Sequence, residues 1–253
     1  MYIYLYDAFL RERRYWSAVK AIENRLTDFG ISGKIIRLTT LSNAYGIVDD
    51  EMRYGAQTVV ILGNDETLGR VLSRAAECDV IFGYLPIDDK QTVAQMLGIP
   101  GGTAACDVLS RRRIVELDVG EVNDRYFVSQ LQIRPAILRA EYDGQFAVSS
   151  TGSEMAMTVC NLRPFVGETF VRRTRIHPQD GKLEAFVQPV TRGGFFHREQ
   201  TIPASVFPFR EMVVRGREPF TMEMDSVVSK EMAVRIRLAP KRLQMIVGQG
   251  RMF

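Results

Sequence analysis

The spacing of apolar residues changes near the middle of this chain, and that change limits the folds it can adopt. Up to about residue 125, short apolar runs alternate with segments whose apolar residues recur at helical spacing. After that point, apolar and polar residues alternate in short stretches separated by turn signals such as "YDG" and "PQDG". We therefore predict an α/β plus all-β protein. Residues 1–125 should form a mostly parallel α/β domain, and residues 126–253 an antiparallel β-sandwich.

The order of elements in the first half predicts where a ligand binds. Apolar runs predict strands at 2–6, 33–38, 58–62 and 79–86, and helical spacing predicts helices at 13–29, 47–56, 66–77 and 91–98. Gly30 is a natural stop for the first helix. Ligands bind a parallel sheet beyond the carboxyl ends of its strands. Three segments stand at those ends: 39–43, 63–67 and 86–90.

The cysteines and the apolar runs of the chain indicate in which cellular compartment it works. The three cysteines, Cys78, Cys106 and Cys160, lie far apart, with no CxxC pair and no spacing that would hold zinc. The first 16 residues place a short apolar run before their charges, the reverse of a secretory signal. No run approaches the ~18 apolar residues that span a bilayer. We expect a soluble, cytoplasmic protein for which a peripheral membrane surface remains a candidate platform.

Charge is divided unevenly between the two halves. Residues 1–125 carry 15 basic and 18 acidic side chains, whereas residues 126–253 carry 18 and 12. The basic half could face phosphate, anionic lipid or nucleic acid, but it contains no tight run of basic residues. We favour arginines on the solvated outer faces of strands. Because no RNA-binding aromatic stripe occurs, we expect no nucleic-acid partner.

Four segments fall in an order and spacing that resemble a known family. They are "VVILGNDETLGRV" (59–71), "FGYLPIDDKQTVAQMLGIP" (82–100), "IVELDVGEVNDRYF" (114–127) and "PQDGKLEAFV" (178–187). Together they resemble the diacylglycerol kinase catalytic-domain family, which includes bacterial lipid kinases and sphingosine kinases and is related in fold to NAD kinases. "LGIP" and "DVGEVNDRYF" are the most specific matches, because they follow the nucleotide loops at the family's spacing. The resemblance covers most of the chain.

The first nucleotide loop departs from the family pattern. Where the family has GGDGT, this chain keeps Gly63, Asp65 and Thr67, but Asn64 and Glu66 replace the other two glycines. Glycines there let the backbone approach phosphates, and N–H groups at the helix start point at them. Asn64 tolerates a left-handed turn, whereas Glu66 adds a β-carbon and a carboxylate beside a polyphosphate.

The second loop and the last motif are altered further. Where the family has P-x-GT-x-ND, Asp88 and Asp89 stand at the GT pair, and residues 91–92 at the ND pair. For these two acids we favour a helix N-terminus, which attracts negative charge. The family's final DGE is "DSV" here. Since an acid in that motif is thought to deprotonate the lipid hydroxyl, the resemblance makes Asp225 the candidate general base.

The resemblance implies a kinase site. ATP and Mg²⁺ would be its cofactors, and a lipid or other small hydroxyl compound its phosphate acceptor; the metal ligands are not named, and a homo-oligomer is left open. The implied nucleotide contacts are Gly63, Asn64, Asp65 and Thr67. Thr39 and Thr40 are added because they follow a parallel strand that opens onto the same edge of the sheet.

Two hypotheses stay open. One is an ATP-dependent kinase. The other is a catalytically impaired relative that binds a ligand or partner through the same cleft, with Asp65 acting only as the N-cap of the following helix. Outside the loops, we interpret Asp118 as a turn or edge-strand acid and residues 111–113 as a solvated helix end.

Overall fold

The described part of the chain folds as two compact units. The computed structural model describes residues 1–39, 41–88, 91–162, 176–190, 204–224 and 227–253. Unit one holds Met1–Leu117 and Lys241–Phe253, and unit two holds Asp118–Pro240. The sequence pattern placed the boundary at residue 125 and all later residues in the second domain. The structure instead starts unit two at Asp118 and returns the last 13 residues to unit one.

Unit one is built on one mostly parallel sheet. Its strands are β1 (Tyr2–Tyr6), β2 (Lys34–Arg37), β3 (Thr58–Gly63), β4 (Ile81–Pro86), β5 (Ile114–Leu117) and β16 (Leu243–Ile246). Their order is β2-β1-β3-β4-β16-β5, and only the β16–β5 pair is antiparallel. Every residue of β3 is buried, as expected for a central strand covered on both faces. The predicted parallel α/β fold is confirmed.

Five helices cover this sheet. They are α1 (Trp16–Asp28), α2 (Ala44–Arg53), α3 (Asp65–Ala75), α4 (Thr92–Met96) and α5 (Ala104–Arg111). Because crossovers between parallel strands are right-handed, α1 lies on one face of the sheet, and α2 and α3 lie on the other. α2 packs on α3, and α1 packs on α5. The helix α5 was missing from the sequence prediction.

The first helix shows how local sequence sets a boundary. Val19, Ile22 and Leu26 recur at helical spacing and are buried on one face of α1. Gly30 adopts φ +65°, and the N–H of Ile31 donates to the carbonyl of Leu26 at 3.0 Å. This is the Schellman arrangement, in which a left-handed glycine ends a helix. The predicted stop at Gly30 is confirmed.

Every strand pair that the structure describes in unit two is antiparallel. Its strands are β6 (Gly120–Val122), β7 (Arg125–Phe127), β8 (Gln130–Ala136), β9 (Leu138–Tyr142), β10 (Phe146–Ser149), β11 (Glu154–Cys160), β12 (Leu183–Val190), β13 (Ser205–Phe209), β14 (Glu211–Met224) and β15 (Val227–Leu238). The sheet runs β13-β12-β11-β8-β14-β15-β6-β7, and β9 joins β10 to β14. Alternate residues of β11 are buried, which confirms the period-2 pattern.

This second sheet folds over on itself around one core. β12, β11 and β8 separate β13 from β14, which in a flat sheet would place them about 19 Å apart, at ~4.8 Å per strand. Arg210 alone joins the two strands. The Asp143 carboxylate holds that corner by accepting the N–H groups of Arg210 and Glu211 at 3.0 and 2.8 Å. The ring of Tyr142 on β9 therefore reaches Phe209 on β13, with centroids 5.9 Å apart.

Five arginines of unit two form ion pairs on strand surfaces. The ion pairs are Arg134–Glu223, Arg139–Glu141, Arg215–Glu141, Arg235–Glu211 and Arg237–Glu121. This pattern agrees with arginines on the outer faces of strands. Among the described helices, none is long and apolar enough to cross a membrane.

Substitutions in β16 test its place in unit one. Met245 is 1% exposed and lies between β4 and β5. We expect Met245→Ala to lower the free energy of unfolding by about 2–5 kcal/mol, because it leaves a cavity in the core. Gln244 precedes Met245 on the same strand and is partly exposed. Gln244→Ala should therefore lower the free energy of unfolding by no more than about 0.5 kcal/mol. Urea melts that give equal losses would contradict this arrangement.

Candidate functional site

Four strand ends meet at one edge of the parallel sheet in unit one. Asp7, Thr39, Asn64 and Ile87 each lie one or two residues past the end of β1, β2, β3 or β4. The N–H of Ile87 donates to the carbonyl of Gly63 at 3.0 Å, so the loops after β3 and β4 are in direct contact. We call this the carboxyl edge. It is where parallel sheets bind ligands, as the sequence predicted.

The first loop ends in a capping box. Asn64 is the N-cap of α3, and its Oδ1 accepts the N–H of Thr67 at 2.8 Å. In return, the Thr67 hydroxyl accepts the N–H of Asn64 at 3.3 Å. The interpretation of Asp65 as N-cap of this helix was therefore off by one residue. Asn64 takes that role, since asparagine is among the best N-caps.

Asp65 instead holds the start of α4. Its carboxylate accepts the N–H groups of Val93 and Ala94 at 2.7 and 3.4 Å and the hydroxyl of Tyr84 at 3.1 Å. Its own N–H donates to Oε1 of Gln91 at 2.8 Å. Asp65 and Gln91 thus tie the two loops together in both directions. We call these contacts the loop clasp.

The clasp leaves the Asp65 carboxylate poorly exposed to water. Burial raises the pKa of this carboxyl above its ordinary value, although hydrogen bonds from Val93, Tyr84 and Ala94 oppose the shift. A carboxylate acting as helix cap is stabilised by the positive end of the helix. Asp65 therefore stands where a bound anion would meet the first turn of α4.

A second polar network lies under the first loop. The Asp7 carboxylate is 7% exposed, and its Oδ2 accepts the hydroxyl of Thr67 at 2.8 Å and the guanidinium of Arg70. Asp7 also caps the short 3-10 turn Ala8–Arg11 through the N–H of Phe9. The sequence analysis did not assign Asp7 a role. Its place directly after an apolar strand was the available signal.

Gly63 is required for packing rather than for an open nest. A Cβ at this position would lie 2.5 Å from the Thr67 hydroxyl and 2.8 Å from its Cβ. The Thr67 side chain, 1% exposed, therefore fills the space beside the glycine. Since Thr67 is one of the residues that this chain shares with the GGDGT pattern, this packing by itself is not a departure from that pattern.

Three N–H groups at the start of α3 already have side-chain acceptors. Those of Asn64, Asp65 and Thr67 donate to the side chains of Thr67, Gln91 and Asn64. Among the described residues, no group of three or more His, Cys, Asp or Glu side chains could hold a metal ion. In this arrangement, three of the N–H groups that a phosphate at α3 would need have partners within the chain.

The remaining predicted residues fall into three groups. Thr39 is exposed at the carboxyl edge, and its side chain lies 3.0 Å from the hydroxyl of Ser42. Asp88 is exposed there as well. Thr40, Asp89 and Asp225 lie outside the described residues. Arg112 lies at the opposite edge of the sheet, where it donates to Tyr2 and Thr58, so it is not a solvated helix end.

Unit two brings together two of the segments that resemble the family. Asp118, from "DVGEV", is 2% exposed, and its carboxylate accepts the N–H of Gly181, from "PQDGKLE", at 2.6 Å. Asn161 donates to the carbonyls of Asp118 and Val128 at 2.6 and 3.0 Å. Asp118 lies in the connection between β5 and β6, next to an edge strand as the sequence suggested, but it is buried. This acid is a buried staple between segments 63 residues apart.

Glu184 is the most perturbed carboxyl beside that staple. It is 5% exposed on β12. Burial, with the neighbouring charges of Asp180 and Asp118, raises the pKa of Glu184 to about 8, and Lys182 opposes the rise. The side chain therefore holds a proton at neutral pH.

Comparison with known proteins supports the fold. No protein-family model matches the chain, and no curated protein matches its sequence. Two crystal structures described as a diacylglycerol kinase and a putative diacylglycerol kinase, both from Bacillus anthracis, match with TM-score 0.77 and 15% identity, covering 98% of this chain and 97% of theirs. A third putative diacylglycerol kinase from the same organism matches with the same TM-score and coverage at 13% identity. The chain has the diacylglycerol kinase fold over nearly its whole length.

The loop clasp predicts a stability difference between adjacent acids. Asp65→Ala leaves the N–H groups of α4 and the Tyr84 hydroxyl without their acceptor, and should cost about 1–3 kcal/mol. Glu66→Ala, one residue along and exposed, should change stability by no more than about 0.5 kcal/mol. Urea melts of both variants measure the difference. Equal effects would show that Asp65 does not hold α4.

Glu184 predicts a pH dependence of stability. Because its folded pKa is raised from 4.5 to about 8, its contribution is fully present below pH ~4.5 and is lost as the pH rises through ~8. Between pH ~4.5 and ~8, each unit of rising pH should therefore lower the free energy of unfolding by up to about 1.4 kcal/mol through the ionisation of Glu184. Glu184→Gln should flatten this slope in urea melts between pH 5 and 9. An unchanged slope in the variant would contradict the assignment.

Proposed function

We propose that this protein binds a ligand or a protein partner through the carboxyl edge and does not transfer phosphate from Mg·ATP. The loop clasp is the observation that carries this proposal. Asp65 caps α4, and Gln91 and Thr67 take the N–H groups that a nucleotide phosphate would need. The diacylglycerol kinase fold is kept while the groups that would serve catalysis are used to join two loops.

Opening the edge for ATP has an energetic cost. A phosphate at α3 would displace the side-chain acceptors of Asn64, Asp65 and Thr67 N–H groups, each contributing ~1 kcal/mol net. The total of about 3 kcal/mol lowers affinity roughly a hundredfold. Glu66 and Asp88 are exposed at the same edge and add repulsion toward a polyphosphate. A neutral or cationic group suits this edge better than a triphosphate.

A second candidate is an ATP-dependent kinase of a lipid or other small hydroxyl compound, with ATP and Mg²⁺ as cofactors. Two observations favour it: the fold match spans nearly the whole chain, and the first loop keeps Gly63, Asp65 and Thr67. In this case Asp225 would be the candidate base. The loop clasp would then have to open before the nucleotide enters.

Nucleotide titration and a phosphoryl-transfer assay separate the two candidates. We expect no heat of binding with Mg·ATP and no labelled product from γ-labelled ATP and vesicles that contain diacylglycerol. Product that the native protein forms, and that a mock purification without the protein does not form, would overturn the proposal. Asp65→Ala shows in addition whether the clasp restrains transfer, because this variant opens the two loops.

Glu66→Gly gives a further test of the same edge. If the loop is a structural turn, the variant should still bind no Mg·ATP and should lose about 0.5–1 kcal/mol of stability, since glycine is a poor helix former. A weakened phosphate site would instead gain affinity, about fivefold for ~1 kcal/mol of relieved repulsion. Calorimetric titration, with urea melts in parallel, measures both quantities.

A further inference from the structure

A long free edge lies on strand β15 in unit two. The strand has 12 residues, and on one side it pairs with β14. On the other side only residues 236–238 pair with β6. Among the residues that the structure describes, none pairs with positions 227–235 on that side. Because N–H and C=O groups point alternately to the two sides of a strand, some of those at 227–235 face away from β14 without a partner strand.

The turn after β6 explains why this edge is free. Val122 pairs with Arg125, so Asn123 and Asp124 form a two-residue hairpin turn. Both turn residues have positive φ, 48° and 57°, as a type I′ turn requires. The chain therefore turns back as β7, and β6 ends opposite Ile236.

The side chains along the free edge form a simple pattern. Val228, Lys230 and Met232 occupy alternate positions and are exposed, so they share one face of the strand. The two apolar side chains are 54% and 52% exposed. Lys230 lies between them and makes no ion pair with any residue that the structure describes. A neighbouring strand on this face would meet an apolar, a basic and an apolar side chain in turn.

The other free edges of the described sheets suit an added strand less well. β2, β5 and β10 have four residues each, and β7 has three. β13 contains Pro208, which has no N–H group to donate. Strands of other chains add to long edges that expose apolar side chains, and β15 has the longest such edge here.

We propose that the free edge of β15 binds an extended segment of another protein, in which an acidic residue stands between two apolar residues on one face. Main-chain hydrogen bonds along 227–235 hold the segment, and its acidic residue pairs with Lys230. A second copy of β15 fits less well. A two-fold pairing that brings Val228 opposite Met232 also brings Lys230 opposite Lys230, and like charges opposite each other are destabilising. The inference goes beyond the proposed function, because it concerns unit two and holds whether or not the carboxyl edge binds a ligand.

A designed peptide tests the edge directly. The probe is the labelled peptide Thr-Val-Thr-Glu-Thr-Val-Thr, which places valine, glutamate and valine on one face of a strand. We expect saturable binding in fluorescence polarisation. It should be at least about fivefold tighter than binding of the matched peptide with lysine in place of glutamate, because the glutamate meets Lys230. No saturable binding, or equal binding of the two peptides, would overturn the proposal.

An exchange of charge locates the contact. Lys230→Glu should reverse the preference, so that the lysine peptide binds at least about fivefold more tightly than the glutamate peptide. Lys20→Glu makes the same charge change at an exposed position of α1 in unit one, and should leave both affinities within about twofold. Circular dichroism verifies that each variant is folded. A folded Lys230→Glu protein that keeps the native preference would show that the peptide binds elsewhere, and the proposal would be wrong.

Hydrogen exchange and sedimentation test the other possible occupants of the edge. In the free protein we expect some amides of 227–235 to exchange rapidly and to slow down when the glutamate peptide is added. Amides of β11, which pairs with strands on both sides, should stay protected throughout. Slow exchange of every amide at 227–235 in the free protein would show that another part of the chain covers the edge. A dimer that Met232→Lys abolishes would show that a second copy covers it, and either result would overturn the proposal.

Discussion

The carboxylate of Asp65 is the contact on which the carboxyl edge depends. It sits at the N-terminus of α4, accepts the N–H groups of Val93 and Ala94, and is buried enough that its pKa is raised. Helix N-termini bind anions because their first N–H groups lack partners within the helix. In this protein the anion is part of the chain. Because this carboxylate belongs to the loop after β3 and binds the helix after β4, it holds the two loops next to each other.

The substituted residues around Asp65 compensate for one another. Asn64 replaces a glycine and becomes the cap of α3, and Gln91 supplies the acceptor for the Asp65 N–H. Thr67, which the family pattern also has, fills the space beside Gly63. The two substituted residues, Asn64 and Gln91, each add a hydrogen bond that closes the loop. An unsatisfied polar group at a helix end costs free energy. A protein that carries only one of these substitutions would therefore be less stable than one that carries them together.

Unit two uses the same device in another place. Asp118 and Gly181 belong to separate segments that resemble the family, and a buried carboxylate to N–H bond joins them. Beside that bond, Glu184 is kept protonated by burial and by neighbouring acids. Both units therefore retain acids at positions where the family pattern has them. In both, the structure shows the acid bound to backbone N–H groups of the same chain, which fixes loops rather than leaving a carboxylate free.

The sequence alone determined what depends on neighbouring residues. The change of period predicted a parallel sheet followed by an antiparallel one, Gly30 predicted the end of α1, and the strand order predicted the edge where loops 39–43 and 63–67 lie. Only the tertiary structure decided the role of each acid and the place of β16. The partners of Asp65 and Asp118 lie 28 and 63 residues away, and β16 enters unit one from the end of the chain. Residue spacing sets which face a side chain occupies, but burial and hydrogen-bond partners are set by segments that meet only in the folded protein.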